Sequence, residues 1–215
     1  MFADTWQAFQ AATHTLGPTP GLRSRWHAGR QAYFVWMVRL DDPRLRERVA
    51  AVQRTLEPWL DPQPLDQLHI TICVAGFPAP RTRSDSGFPL PDHVDPAALQ
   101  STLQRLNCAP PTLDIGGANS FTSAVFLEVQ DADATLADLR SRVRGSLDPE
   151  TRDAPWLPHV TVGSWRRRVP VRDVLDGLRL HRRWAPIRPT HAVFGLASID
   201  PRSGYISTFE SASDK

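Results

Sequence analysis

Leu68-His69-Ile70-Thr71-Ile72 and Pro158-His159-Val160-Thr161-Val162 carry one pattern twice, ninety residues apart: a His, a β-branched residue, a Thr and another β-branched residue. Propensity and alternation both read as strand. Side chains alternate faces along a strand, so each His shares a face with its Thr. Ile70 and Ile72, or Val160 and Val162, point the other way, into a core. Two such strands facing each other can hold a phosphate between two imidazoles. With seven histidines and fifteen threonines in 215 positions, about half of one His-x-Thr is expected by chance. One copy is therefore weak evidence. Two copies, each in β-branched alternation and each ahead of a helix, are much stronger. The bland alternative is a pair of structural strands that happen to carry these residues.

Outward from the first copy, Tyr33 to Leu40 is almost wholly apolar and reads as a strand buried on both faces. Asp42-Pro43 opens a helix with a stripe of Leu45, Val49, Val52 and Leu56, ending near Pro58. Residues 4–16 read as a helix stopped by Gly17-Pro18, and 17–30 as a loop. After the first His strand, 68–75, comes a long loop at 77–91 carrying Arg81, Arg83 and Phe88. Asp95-Pro96 opens a helix to about Asn107. Residues 112–119 and 124–130 read as a hairpin, with Gly116-Gly117 marking a bulge. Asp131 or Asp133 caps a helix to about Leu147, and 148–155 is a loop. The second His strand, 158–164, is followed by a helix at 171–178 and strands near 187–199 and 205–210. The order of elements repeats weakly. It predicts an α+β fold of two lobes related by a pseudo-twofold, each an antiparallel-rich sheet with helices on its outer face, and a cleft between them. The expected divisions are a helical extension and loop at 1–32, the bilobal domain at 33–210 and a tail at 211–215.

The bulk numbers fit a soluble globular chain, with 41% hydrophobic and 22% charged residues. A net charge of +2 is too mild for a general nucleic-acid binder and leaves room for a local basic cleft. Lys215 is the sole lysine, so the many arginines say little about phosphate binding. Cys73 and Cys108 have no metal-like spacing and read as reduced thiols. No HExxH or clustered Cys/His is present, so no metal and no cofactor are expected. No apolar run is long enough to cross a bilayer and no secretory signal opens the chain. The expectation is a cytoplasmic monomer.

Imidazole acts as acid or base near neutrality. A phosphodiester needs both roles, one for the attacking nucleophile and one for the leaving oxygen. Thr hydroxyls beside the imidazoles can donate to the non-bridging oxygens as charge builds there.

These paired His-x-Thr strands resemble the two-histidine (2H) phosphoesterase superfamily, most closely its bacterial 2'-5' RNA ligase and RNA 2',3'-cyclic phosphodiesterase branch. HITICVAGF, including Gly76 and Phe77, is similar to that branch's first motif. LPHVTVGSWRRR is similar to its second. The resemblance spans about residues 33 to 210. It implies a metal-free cleft in which His69 and His159 catalyse and Thr71 and Thr161 hold the phosphate. It also implies substrates that are RNA ends or nucleotides with a 2',3'-cyclic phosphate or a 2'-5' linkage. Two other readings stay open: a phosphodiesterase of a small nucleotide, and a module that binds an RNA end without turning it over. The extension before residue 33, the longer loop after the first motif and the run Arg166-Arg167-Arg168 depart from the family pattern, and they bear on substrate choice.

Around the motifs, Trp165 and Phe77 are candidates for substrate contact, Trp165 by stacking on a base. A Trp at a strand end is more commonly a packing residue, and Phe77 equally suits a core or loop anchor. Arg166 and Arg168 are candidates for attracting a polyanion, set against the commoner solvated charge run.

Overall fold

Tyr33–Leu40 forms a central strand, as its apolar run requires, with Trp36, Met37 and Val38 fully buried. The computed structural model describes residues 1–78, 94–106, 111–144 and 156–212. The expectations placed on Arg81, Arg83, Phe88, Cys108 and the 148–155 loop lie outside the described residues. In chain order the elements are α1 (Phe2–Ala11), α2 (Leu22–His27), β1 (Tyr33–Leu40), α3 (Pro43–Leu56), β2 (Leu60–Pro62), β3 (His69–Gly76), α4 (Pro96–Arg105), β4 (Asp114–Ser120), β5 (Ala124–Gln130), α5 (Thr135–Arg144), β6 (His159–Trp165), α6 (Val171–Arg182), β7 (Ala192–Ile199) and β8 (Ile206–Ser211).

Three aspartates start helices as read from sequence. Asp42 accepts from the Arg44 and Leu45 amides, Asp95 from the Ala97 amide, and Asp131 from the Leu136 and Ala137 amides. Asp42 also joins distant segments. It is fully buried and takes the Arg44 guanidinium together with the Thr190 amide and hydroxyl. Burial alone would raise its pKa, but these hydrogen bonds prevail and hold the carboxyl well below the usual range.

All strand pairs are antiparallel, in the order β4-β5-β6-β3-β1-β7-β8, with β2 also on β6. The two lobes are the halves β4-β5-β6-β2 and β3-β1-β7-β8. They join where Ile70 pairs with Val160, so the sheets run into one continuous array. The helices cross over. Helix α3, which precedes β3, packs against β6 and α6, whereas α5, which precedes β6, packs against β3. Helix α6 covers β4 and α4 covers β7. The main core lies between this helical layer and the sheet. A smaller cluster of Val35, Met37, Ala197 and Ile199 sits apart from it.

Several elements differ from the sequence reading. Helix α1 stops at Ala11, and the next residues run extended because Thr13 and Thr15 exchange backbone hydrogen bonds with Val169 and Val171. The segment read as a loop contains α2, whose six residues are too short to show a period. Strand β2 has three residues and ends in Pro62, so no alternation marks it. Helix α6 runs on to Arg182, and Ile187 makes an isolated bridge to Ile115 rather than starting β7. The Gly116-Gly117 bulge is present as a register break between Ile115 and Ala118. A β-carbon on Gly117 would lie 2.2 Å from the Arg182 carbonyl oxygen, so Gly lets the end of α6 close onto β4.

Candidate active site

The two His strands have the same local construction. Each starts as an alternation of half-buried and buried residues, and in each the alternation first slips three residues after the histidine, at Ile72-Cys73 and at Val162-Gly163. Both slips coincide with register breaks against the neighbouring strand, between Trp36 and Met37 on β1 and between Val125 and Phe126 on β5. These are β-bulges, which bend a strand and re-aim its side chains. Both bulge carbonyls are occupied from a helix. Arg140 of α5 donates to the Ile72 carbonyl, and Gln53 of α3 donates to that of Val162.

Around the Ile70–Val160 pair, continuation of the antiparallel register sets His69 across from Thr161 and Thr71 across from His159. The histidines are then diagonal neighbours across that pair. Their orientation is fixed in the same way on both strands. His69 Nδ1 donates to the Gln67 carbonyl at 2.8 Å, and His159 Nδ1 donates to the Leu157 carbonyl at 2.7 Å. A carbonyl only accepts, so Nδ1 carries the hydrogen and Nε2 is left to meet a substrate. Thr71 and Thr161 are half-buried, and neither hydroxyl has a partner among the described residues.

The surroundings of the imidazoles differ. Burial lowers the pKa of His69 most; the Gln67 hydrogen bond opposes this, and the charges of His159 and Arg39 add to it. Arg39 is the direct register partner of His69. Burial also lowers the pKa of His159, with the Leu157 hydrogen bond opposing. His159 instead lies against two rings, Phe121 at 5.3 Å edge-on and Phe126 at 5.1 Å, which are themselves stacked at 4.4 Å. The coupling of His69 to the charge of His159 is what two groups sharing one site produce.

Two expected substrate contacts are placed elsewhere and need correction. Trp165 is 1% exposed, stacks on Phe9 and donates its indole hydrogen to Ser120 Oγ and the Phe121 carbonyl. It has no face left for a base. Phe77 is also 1% exposed, packed by Trp26 and Tyr33, with the Arg30 guanidinium 3.6 Å above its ring. The reason is simple geometry. Six residues of strand separate Trp165 from His159, about 20 Å at the rise of a strand, and Phe77 lies farther still from His69. Arg166 and Arg168 are exposed at that same far end. Arg166 donates to the Leu60 carbonyl and Arg168 reaches His14 Nδ1. Gly163, in the second motif, has a packing reason: a β-carbon there would lie 2.5 Å from the Asp61 carbonyl oxygen of β2.

Sequence reasoning missed Arg39, Phe121, Phe126 and Trp156, whose indole donates to the Thr71 carbonyl. Arg39 had a signal, as the lone charge in an apolar strand. The others depend on pairings that no local pattern records. Among the described residues, no group of three or more His, Cys, Asp or Glu could hold a metal ion, and no helix is long and apolar enough to cross a membrane.

Comparison with known proteins bears on this site. A profile of the 2'-5' RNA ligase superfamily matches residues 41–198, which include both His strands. The chain belongs to the 2'-5' RNA ligase superfamily. Membership in this superfamily supports an enzyme of phosphodiesterase or RNA ligase type. No curated protein sequence matches the chain. Crystal structures with the same fold include E. coli LigT in apo form, at a TM-score of 0.55 and 15% identity over 85% of this chain and 95% of that one. TT0787 of Thermus thermophilus follows at 0.50 and 16% identity, over 84% and 97%. ATU0111 of Agrobacterium tumefaciens, a conserved protein of unknown function, aligns at 0.55 and 14% identity, over 91% and 94%.

Proposed function

We propose that the protein is a metal-independent phosphodiesterase that opens 2',3'-cyclic phosphates on RNA ends or nucleotides. The observation that carries this is the matched fixing of His69 and His159 by carbonyls two residues upstream, which leaves both Nε2 atoms free beside one register pair. With phosphorus between the rings, the neutral imidazole takes a proton from water as the water oxygen attacks. The imidazolium gives its Nε2 proton to the ribose oxygen as the P–O bond breaks. The products are a phosphomonoester and a free ribose hydroxyl, and the two histidines have exchanged protonation states. Thr71 and Thr161 donate to the non-bridging oxygens, where charge accumulates. With a 5'-hydroxyl RNA end as the nucleophile in place of water, the same forward steps join that oxygen to phosphorus, break the bond to the 3'-oxygen, which takes the imidazolium proton, and leave a 2'-5' linkage.

A small nucleotide or short oligonucleotide substrate is favoured by one observation. The Arg166 to Arg168 run lies at the far end of β6 from His159, so among the described residues this run does not extend a basic track into the site. The test is a product screen across 2',3'-cyclic mononucleotides, cyclic-phosphate RNA ends and 2'-5' dinucleotides, with and without EDTA. EDTA-insensitive opening of a cyclic phosphate is the expected result. Saturable binding without product overturns the reading.

A further inference from the structure

Residues 1–17 lie outside the stretch covered by the family profile, yet they are fastened around the half of the molecule that carries His159. Phe9 of α1 is buried and stacks on Trp165 at 6.2 Å. Asn119, fully buried on β4, donates one amide group to the Phe2 carbonyl at 3.0 Å and to Glu128 at 2.7 Å. Past α1 the chain runs extended. Thr15 is fully buried; its amide donates to the Val169 carbonyl, its hydroxyl donates to the Arg167 carbonyl, and the same hydroxyl accepts from the Val169 amide. The Leu16 amide then donates to the Thr122 carbonyl at 2.6 Å.

This strap meets the aromatic pair behind His159 at two points. The ring of Phe2 lies 6.4 Å from that of Phe126. Leu16 holds Thr122, the neighbour of Phe121 in the β4–β5 turn. Phe121 and Phe126 in turn lie against the imidazole. No aromatic ring lies against His69 among the described residues. Among the described residues, the strap thus reaches the rings beside one imidazole and none beside the other.

We propose that the N-terminal strap is a positioning element for His159, with Phe2 acting on the imidazole through Phe126. The proposal rests on the reading of His159 as one of the two proton-transfer groups. A ring displaced by a fraction of an ångström misaligns Nε2 with the ribose or water oxygen and slows the chemical step more than it weakens binding. Among the described residues, the charged groups on the site side of His159 are His69 on β3, with Arg39 beside it, and Glu128 on β5, which is turned to Arg182 and Asn119.

The experiment compares Phe2→Ala with Trp6→Ala in the full chain. Trp6 is a control on the same helix, its ring set against Phe9 and Arg182 rather than Phe126. Turnover of a 2',3'-cyclic mononucleotide is measured, and both histidines are titrated by NMR. Phe2→Ala is expected to lower kcat about 5- to 10-fold with KM held within about twofold. It is also expected to move the His159 titration up toward the ordinary imidazole value, leave that of His69 in place, and be largely rescued by Phe2→Leu. Trp6→Ala is expected to lower the melting temperature without these effects. Unchanged kcat and unchanged His159 titration in Phe2→Ala overturn the proposal. So does an equal shift of both histidines, or the same response in Trp6→Ala. A wild-type protein that opens no cyclic phosphate defeats the proposed function alone, because the His159 titration still decides the role of the strap.

Discussion

The half that carries His69 and the half that carries His159 share a backbone plan and differ in side chains. Both have a His strand with a bulge three residues after the histidine, and both bulge carbonyls receive a side chain from the crossing helix. Along the rest of the strand they part. Past its bulge, β6 is continued by β2, whereas β3, ahead of its bulge, receives the Trp156 indole on the Thr71 carbonyl. Around the imidazoles the contrast is sharper. His69 sits beside a cationic Arg39, and His159 sits against Phe121 and Phe126. The shared plan fixes two like imidazoles in matching ways beside one register pair. An acid and a base must differ, so their roles have to come from what the halves do not share.

The comparison can be broken most forcefully by matched substitutions. His69→Ala and His159→Ala should each lower kcat/KM by at least about 10²-fold, as loss of a general acid or base requires. Each should also remove a different limb of the pH–rate profile; loss of the same limb in both would mean that the pair does not divide the labour. In the wild type both pKa values are lowered by burial, so the optimum should fall on the acid side of about 6.5, the ordinary imidazole value. For stability the sign is the reverse of a salt-bridged histidine. The unfolded chain binds these protons more readily, so their contribution rises with pH up to that ordinary value and is lost as pH falls toward the folded-state pKa. Thr71→Val and Thr161→Val come next, with kcat reduced by about 10²-fold each if both hydroxyls meet the developing charge. A marked inequality in steady-state kinetics would assign the phosphate to one side.

Smaller effects sharpen the contrast. Glu128→Gln breaks the 2.7 Å pair with Arg182 and should cost about 2–4 kcal/mol in urea unfolding, since it strands a largely buried guanidinium. Arg39→Gln should have the least effect. Removing a like charge raises the pKa of His69, so one limb of the profile should move toward neutrality while His159, titrated by NMR, stays in place.

Much of this was legible in the residues. The helix starts at Asp42, Asp95 and Asp131, the buried strand at Tyr33 to Leu40 and the two His strands were readable because each rests on local chemistry. The strand reading also placed His69 with Thr71, and His159 with Thr161, on one face. The flanks misled because proximity in sequence was taken for proximity in space. Trp165 is six residues from His159, but along an extended strand those residues carry it away from the site and into contact with Phe9. Phe121 and Phe126, far away in sequence, arrive through the β5–β6 pairing. Nothing local announces a cross-strand neighbour.

The crossing of α3 and α5 has a consequence for how the chain can be cut. A fragment ending at residue 106 would contain β1, α3 and β3, but the strand that receives α3 is β6, in the remainder. Leu45, Val49, Val52 and Leu56, all fully buried in the intact protein, would face water, and β3 would lack α5. The complementary fragment would have the converse deficit. We expect neither piece to fold alone, and a split protein to recover the continuous sheet only by reassembly, with each fragment supplying a helix that packs on the other's His strand.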